Sequence, residues 1–303
     1  MCGILCLVNN NPLKLNYCIE LLNKLQHRGQ NSFGFSYLGQ NNKMNILTIK
    51  GLIKDYINSQ CIKTLHFNSN IFLGHTRYIT SGDKNNDITQ PIHCENKFGE
   101  FVFIFNGNIE LEKYNKQFSR TFDVDTLLIK SFLENDSNYN SFEEILIKFM
   151  NTFEKAYSII IYFNGHIYCL RDRYGIRPLM YSETKNENII IASELEHENK
   201  DVGCGEIIKI TNLKMNSLYK LDTQKQSNCL FEYIYFMNKN TIWNNNRVEN
   251  IREQFGYILA QDENSNIIEN KDNYIVIGIP NTGIPSAKYY AETLNIKDRQ
   301  LIT

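Results

Sequence analysis

The chain has 303 residues, enough for about two domains at ~150 residues each. Hydrophobic residues make up 42% and charged residues 21%, a globular mix that excludes global disorder. Lys and Arg number 32 against 33 Asp and Glu, and the net charge of -1 supplies neither a basic field for nucleic acid nor an acidic tail.

The opening MCGILCLVNN is apolar but short. It lacks a basic lead and stops at Asn9-Asn10-Asn11, so it reads neither as a signal peptide nor as a membrane span. Short β-like runs dominate as far as Asp222. They fall at 4–8, 33–39, 44–51, 71–78, 101–109, 157–163, 166–172, 188–194 and 205–211. They are rich in Ile, Val, Phe and Tyr and punctuated by Gly or Asn. Between them Leu15, Cys18, Ile19, Leu22 and Leu25 share one helical face, as do Ile145, Leu146, Phe149, Met150 and Phe153. The segment after Asp123 reads as helical, and the polar stretches 135–141 and 183–188 as loops. Strands in runs with few helices between them predict an α+β fold with largely antiparallel sheets.

Near residue 223 the character changes. The polar TQKQSN links to CLFEYIYFMNK and to a helical Val248–Gln261, and DNYIVIGIPNTGIPSAKYYAETLNI then reads as one strand, turn and helix of a parallel sheet. The expected domains are 1–222 and 223–303. The 8 cysteines form no small-domain disulfide framework and most read as buried thiols of a reducing cytosol, and no Cys or His spacing suits a metal.

Cys2 could carry chemistry. With Met1 removed, its thiol and α-amine sit on one residue, and an amine of pKa ~7.7–8.0 can accept the thiol proton near neutral pH. By itself Cys2 reads more readily as a buried core cysteine, the commoner case. It is followed, however, by LQHRGQNSFGF (25–35), GHTRYITSG (74–82), QPI (90–92), FNGNI (105–109) and DVDTLL (123–128). In that order, with Cys2 at the start, these segments resemble the class II glutamine amidotransferases, the N-terminal-nucleophile glutaminases. The later segments 156–179, 192–194, 205–210, 229–236 and 276–290 narrow the resemblance to the amidophosphoribosyltransferase family, which performs the first committed step of purine synthesis. RDRYGIRPL and CLFEYIYF argue against a rival among the enzymes of this class, a glucosamine-6-phosphate synthase type.

The resemblance implies a four-layer α/β/β/α sandwich followed by a partial α/β phosphoribosyltransferase-like unit. It implies Cys2 as nucleophile, with Asn106 and the Gly107 N–H forming the oxyanion hole. Arg77, with Arg28 as a second contributor, would hold the glutamine carboxylate, and Asp123 the ammonium, with Asp125 a less favoured neighbour. Asn-Gly also signals a hairpin turn. His27 and His75 are assigned packing or loop-fixing roles, and RDRYGIRPL a structural one. The PNTG loop (280–283) has the form of an anion-binding strand–helix turn.

The sequence also departs from that family. No acidic pair followed by a Ser/Gly/Thr-rich phosphate loop is present, so transfer to phosphoribosyl pyrophosphate is not expected of this chain alone. Mg2+ would serve only if a complete phosphoribosyltransferase site came from elsewhere, and no iron–sulfur cluster is expected, Cys229 matching at most one ligand position. Phe105 stands where His is common. The terminal unit, with an open strand edge and an apolar helix face, favours a homo-oligomer or a partner chain. A free-standing glutaminase feeding another acceptor, and a non-catalytic or regulatory subunit, are the alternatives.

Overall fold

The computed structural model describes residues 1–40, 43–79, 88–135, 137–184, 188–222, 225–263 and 265–300. The Thr-Ser-Gly end of the 74–82 motif and parts of the stretches 135–141, 183–188 and 223–228 lie outside the described residues. Two compact units are present, Met1–Ser193 with Asn199–Asn228, and Glu194–Glu198 with Cys229–Thr303.

The first unit carries β1 (Gly3–Asn9), α1 (Leu15–Lys24), β2 (Ser32–Leu38), β3 (Met44–Lys50), α2 (Ile53–Tyr56), α3 (Gln60–Lys63), β4 (Ile71–Arg77), β5 (Ile92–Asn96) and β6 (Gly99–Gly107). Three helices follow, α4 (Leu111–Phe118), α5 (Asp125–Glu134) and α6 (Phe142–Thr152). The unit ends in β7 (Tyr157–Phe163), β8 (His166–Arg171), β9 (Met180–Thr184), β10 (Asn188–Ala192), β11 (Lys200–Asp201), β12 (Glu206–Thr211) and β13 (Lys214–Lys220). One sheet runs β11-β9-β10-β1-β4-β2-β3 and the other β13-β12-β8-β7-β6-β5. Neighbouring strands in both are antiparallel.

Strand alternation builds the layers. Ile4, Cys6 and Val8 of β1, Ile71 and Leu73 of β4 and Ile189 and Ile191 of β10 share one core with Ile104, Ile160 and Ile208 of the other sheet. The opposite face of the second sheet, including Phe101, Phe103, Phe105, Ile159 and Ile161, packs with Leu128, Ile129, Ile145, Leu146 and Phe149 of α5 and α6. The outer face of the first sheet is covered by α1, and a Cβ at Gly74 would strike the Leu22 side chain. Being covered on both faces explains why YSIIIYF reads as an unbroken apolar run, every residue of which is buried.

The strands β5, β9, β11 and β13 and the helices α2, α3 and α4 were not among the expected elements of this unit. KMNSLYK of β13 lies at a sheet edge with no fully buried residue, so it carries no strong apolar signal. Asn106-Gly107 ends β6 and leads to α4, not into a hairpin. RDRYGIRPL forms a clamp that also grips the chain at Val202. Arg171, fully buried, donates to the carbonyls of Val202, Gly175 and Arg177, while the Asp172 carboxylate accepts the N–H groups of Tyr174, Ile176 and Arg177.

The second unit holds β14 (Ile242–Trp243), β15 (Asn246–Arg247), α7 (Val248–Gln261), α8 (Ser265–Glu269), β16 (Ile275–Val276), α9 (Gly283–Leu294) and β17 (Lys297–Asp298). CLFEYIYF contributes a π turn at Glu232–Phe236, and Tyr233 stacks on Trp243 at 4.9 Å. The two long helices meet closely because Gly256 has no Cβ to collide with the Ser286 backbone. The terminal strand–helix segment continues into a parallel partner, β16 against β17. Ile275 of β16 and Ile277 and Ile279 just beyond it are exposed.

Candidate active site

The alternation that fills the inter-sheet core also sets what lies at its end. Cys2 has the parity of Ile4 and Cys6, Asn106 that of Ile104, and Arg77 that of Ile71 and Leu73. Their side chains therefore emerge at one end of the sandwich.

Residues 2, 3 and 4 are each pinned. The Cys2 backbone N–H donates to Asn106 Oδ1 at 3.1 Å, and its carbonyl accepts from Arg28 Nε at 3.1 Å. The Gly3 N–H donates to Thr76 Oγ1, whose own hydroxyl bonds the Leu25 carbonyl. The Ile4 N–H donates to Ser193 Oγ at 3.1 Å. The Cys2 thiol is half-buried, 3.9 Å from the Tyr78 carbonyl oxygen. Arg28, completely buried, thus acts on the Cys2 main chain.

Asn106 is fully buried. Its Oδ1 takes the Cys2 N–H, but its Nδ2 has no partner among the described residues. A buried donor left unmade costs about 1–3 kcal/mol, so an orphan beside a thiol is a reason to expect an acceptor there during function. At Gly107 a Cβ would strike the Ala156 carbonyl and the Phe105 ring, so only glycine lets β6 end this close to β7. The Phe105 ring itself packs outward among the α4–α6 helices, on the opposite face from Asn106.

Arg77, the last residue of β4, is buried, and its charge reaches Asp125 and His75. Asp125 is the first residue of α5 and is buried; its carboxylate accepts long bonds from the Ile109 N–H and the Thr126 hydroxyl, both 3.5 Å. Burial raises its pKa above the ordinary carboxylate value, against the pull of those donors and of Arg77. Asp123, two residues earlier, is exposed. The structure therefore buries Asp125 within charge reach of Arg77 and leaves the favoured Asp123 exposed, because the start of α5 turns the second carboxylate inward. His27 is exposed and bonds the Lys24 carbonyl. Among the described residues no group of three His, Cys, Asp or Glu side chains could hold a metal, and no helix is long and apolar enough to cross a membrane.

Sequence reasoning missed Thr76 and Ser193, which hold Gly3 and Ile4; a hydroxyl next to a motif arginine or after a strand gave no signal of that role.

A glutamine amidotransferase domain description matches residues 62–255, more than half of the chain. The chain belongs to the glutamine amidotransferase family. The matched span contains Arg77, Asn106, Gly107 and Asp125 and opens downstream of Cys2 and Arg28. The chain is 29% identical over 293 residues to an amidophosphoribosyltransferase of Methanothermobacter thermautotrophicus, covering 90% of this chain and 58% of that protein. It is 26% identical to a chloroplastic amidophosphoribosyltransferase of Vigna aconitifolia, covering 99% of this chain and 62% of that one. This member of the glutamine amidotransferase family therefore spans about three fifths of the length of these relatives. Its fold matches that of the glutamine phosphoribosylpyrophosphate amidotransferase of B. subtilis, solved with ADP and GMP, with a TM-score of 0.82 at 23% identity over 98% of this chain and 65% of that one.

Proposed function

We propose that this chain hydrolyses glutamine to glutamate and ammonia through Cys2, once Met1 has been removed. The bond from the Cys2 nitrogen to Asn106 Oδ1, beside the orphaned Asn106 amide, carries this reading. The free α-amine takes the thiol proton, and the thiolate attacks the glutamine carboxamide carbon. Asn106 Nδ2 and the Gly107 N–H receive the oxyanion, where the loss of one donor typically costs ~10²–10³ in rate. The ammonium formed on Cys2 returns its proton to the leaving ammonia, and water then releases glutamate from the thioester.

In this reading Arg77 binds the substrate carboxylate, for which a guanidinium fork is suited. Arg28 serves the site by holding the Cys2 carbonyl. Asp125 takes the α-ammonium in place of Asp123, supported by its burial and by its electrostatic link to Arg77. No metal takes part in this half-reaction. Ammonia transfer to phosphoribosyl pyrophosphate, the activity named for the relatives, requires the remainder of their length, in a continuation of this chain or in a partner, with Mg2+ belonging to that site. The eight free thiols support work in a reducing compartment such as the cytosol.

Glutamate release is measured beside Cys2→Ala, with and without phosphoribosyl pyrophosphate, after the N-terminal mass is determined. Release lost in the variant supports the glutaminase. Its absence in the wild type with Met1 removed would sink the reading and favour a regulatory subunit.

A further inference from the structure

The strand β5 stops short of the site. It pairs with β6 only as far as Ile92 opposite Phe103, whereas β6 runs on through Phe105 and Asn106, held on its other side by β7. The Phe105 N–H and C=O, on the side where β5 has ended, need other partners. Two side chains supply them. Gln90 Oε1 accepts the Phe105 N–H at 2.7 Å, and His75 Nε2 lies 3.2 Å from the Phe105 carbonyl oxygen.

His75 comes from β4, so this bond joins the two sheets. A carbonyl oxygen only accepts, so Nε2 carries the proton. His75 is fully buried and its Nδ1 has no partner among the described residues, which suits a bare lone pair and not a second N–H. Burial, aided by the Arg77 charge, pushes its pKa down to about 3. Opposite His75 on β2 stands Gly34, where a Cβ would strike the Gln90 carbonyl oxygen. A larger residue there would displace Gln90, so β2 bears on the Phe105 peptide only through Gln90.

The Phe105 carbonyl and the Asn106 N–H belong to the same planar peptide. We propose that His75 and Gln90 are positioning residues, which fix the peptide before Asn106 and so aim its side-chain amide at the developing oxyanion. The inference rests on the glutaminase reading and deepens it.

His75→Gln keeps a donor where Nε2 stands, while His75→Asn places its amide one bond short, near the Nδ1 position. The expected result is a kcat for His75→Asn lowered ~10–100-fold with KM within about twofold, as for a group misplaced by about 1 Å, and substantial recovery in His75→Gln. Gln90→Leu, which breaks the other half of the clamp, gives the same pattern and serves if His75→Asn does not fold. Equal activity of the two His75 variants, or losses confined to KM, would overturn the inference. So would a nitrogen NMR spectrum of the active wild type showing the His75 proton on Nδ1. Failure of the glutaminase reading looks different: the wild type then shows no Cys2-dependent glutamate release at all.

Discussion

Gly29, in the HRG segment, is the most demanding test of how the site is held. A Cβ there would lie 2.5 Å from the carbonyl carbon and oxygen of Thr76 and from the carbonyl carbon of Arg77. All three are main-chain atoms of β4, so no side chain can swing away. Its φ of -154° is ordinary extended backbone, so Gly29→Ala acts through bulk alone. Ordinary contact begins near 3.4 Å, so the loop or the strand must yield by about 1 Å. Overpacking of this kind costs ~1–3 kcal/mol, and each kcal/mol lowers Tm by roughly 2–4 °C in a unit of this size. The loop carries Arg28, which holds Cys2, and the strand carries Arg77. A displacement of about 1 Å at either is therefore expected to lower kcat ~10²-fold. Steady-state glutaminase kinetics and thermal melts of Gly29→Ala measure both. A variant with unchanged Tm and kcat/KM within about threefold of wild type would refute the reasoning.

Asp125→Asn is expected to raise the KM for glutamine ~10–100-fold, the worth of a hydrogen bond to a charged group, whereas Asp123→Asn stays within about twofold. The reverse order would restore Asp123. Because the folded pKa of Asp125 is raised, its contribution is present in acid and lost as pH rises through that value. Asp125→Asn should therefore be at least as stable as wild type near neutral pH in a denaturant titration, and a clear loss would contradict the burial account. His75 has the opposite sign. With its pKa lowered from 6.5 to about 3, its stabilisation is present above 6.5 and lost as pH falls toward the folded value. Between about pH 7 and pH 5 the wild type should lose ~2 kcal/mol that His75→Gln does not, measured as the narrowing gap between their unfolding free energies. Parallel pH curves would count against a buried neutral imidazole.

Much of the fold was legible in the sequence because burial on both faces leaves an apolar run. The runs at 4–8, 71–78 and 157–163 become β1, β4 and β7. Edge elements gave no such signal: half of β13 faces water, so its residues are free to be polar. The ordered motifs around Cys2, Arg28, Arg77, Asn106 and DVDTLL pointed to glutamine chemistry only through their resemblance to a family, since each residue alone reads as an ordinary core or surface group. What the sequence by itself determined was this order of motifs and the alternation that turns Cys2, Arg77 and Asn106 toward one layer. Only the tertiary structure decided which of two carboxylates two residues apart is buried within charge reach of Arg77, because that depends on where in space α5 begins. It alone decided that His75 and Gln90 finish what β5 leaves unpaired, because a bond between sheets depends on how the layers stack and leaves no spacing in the chain.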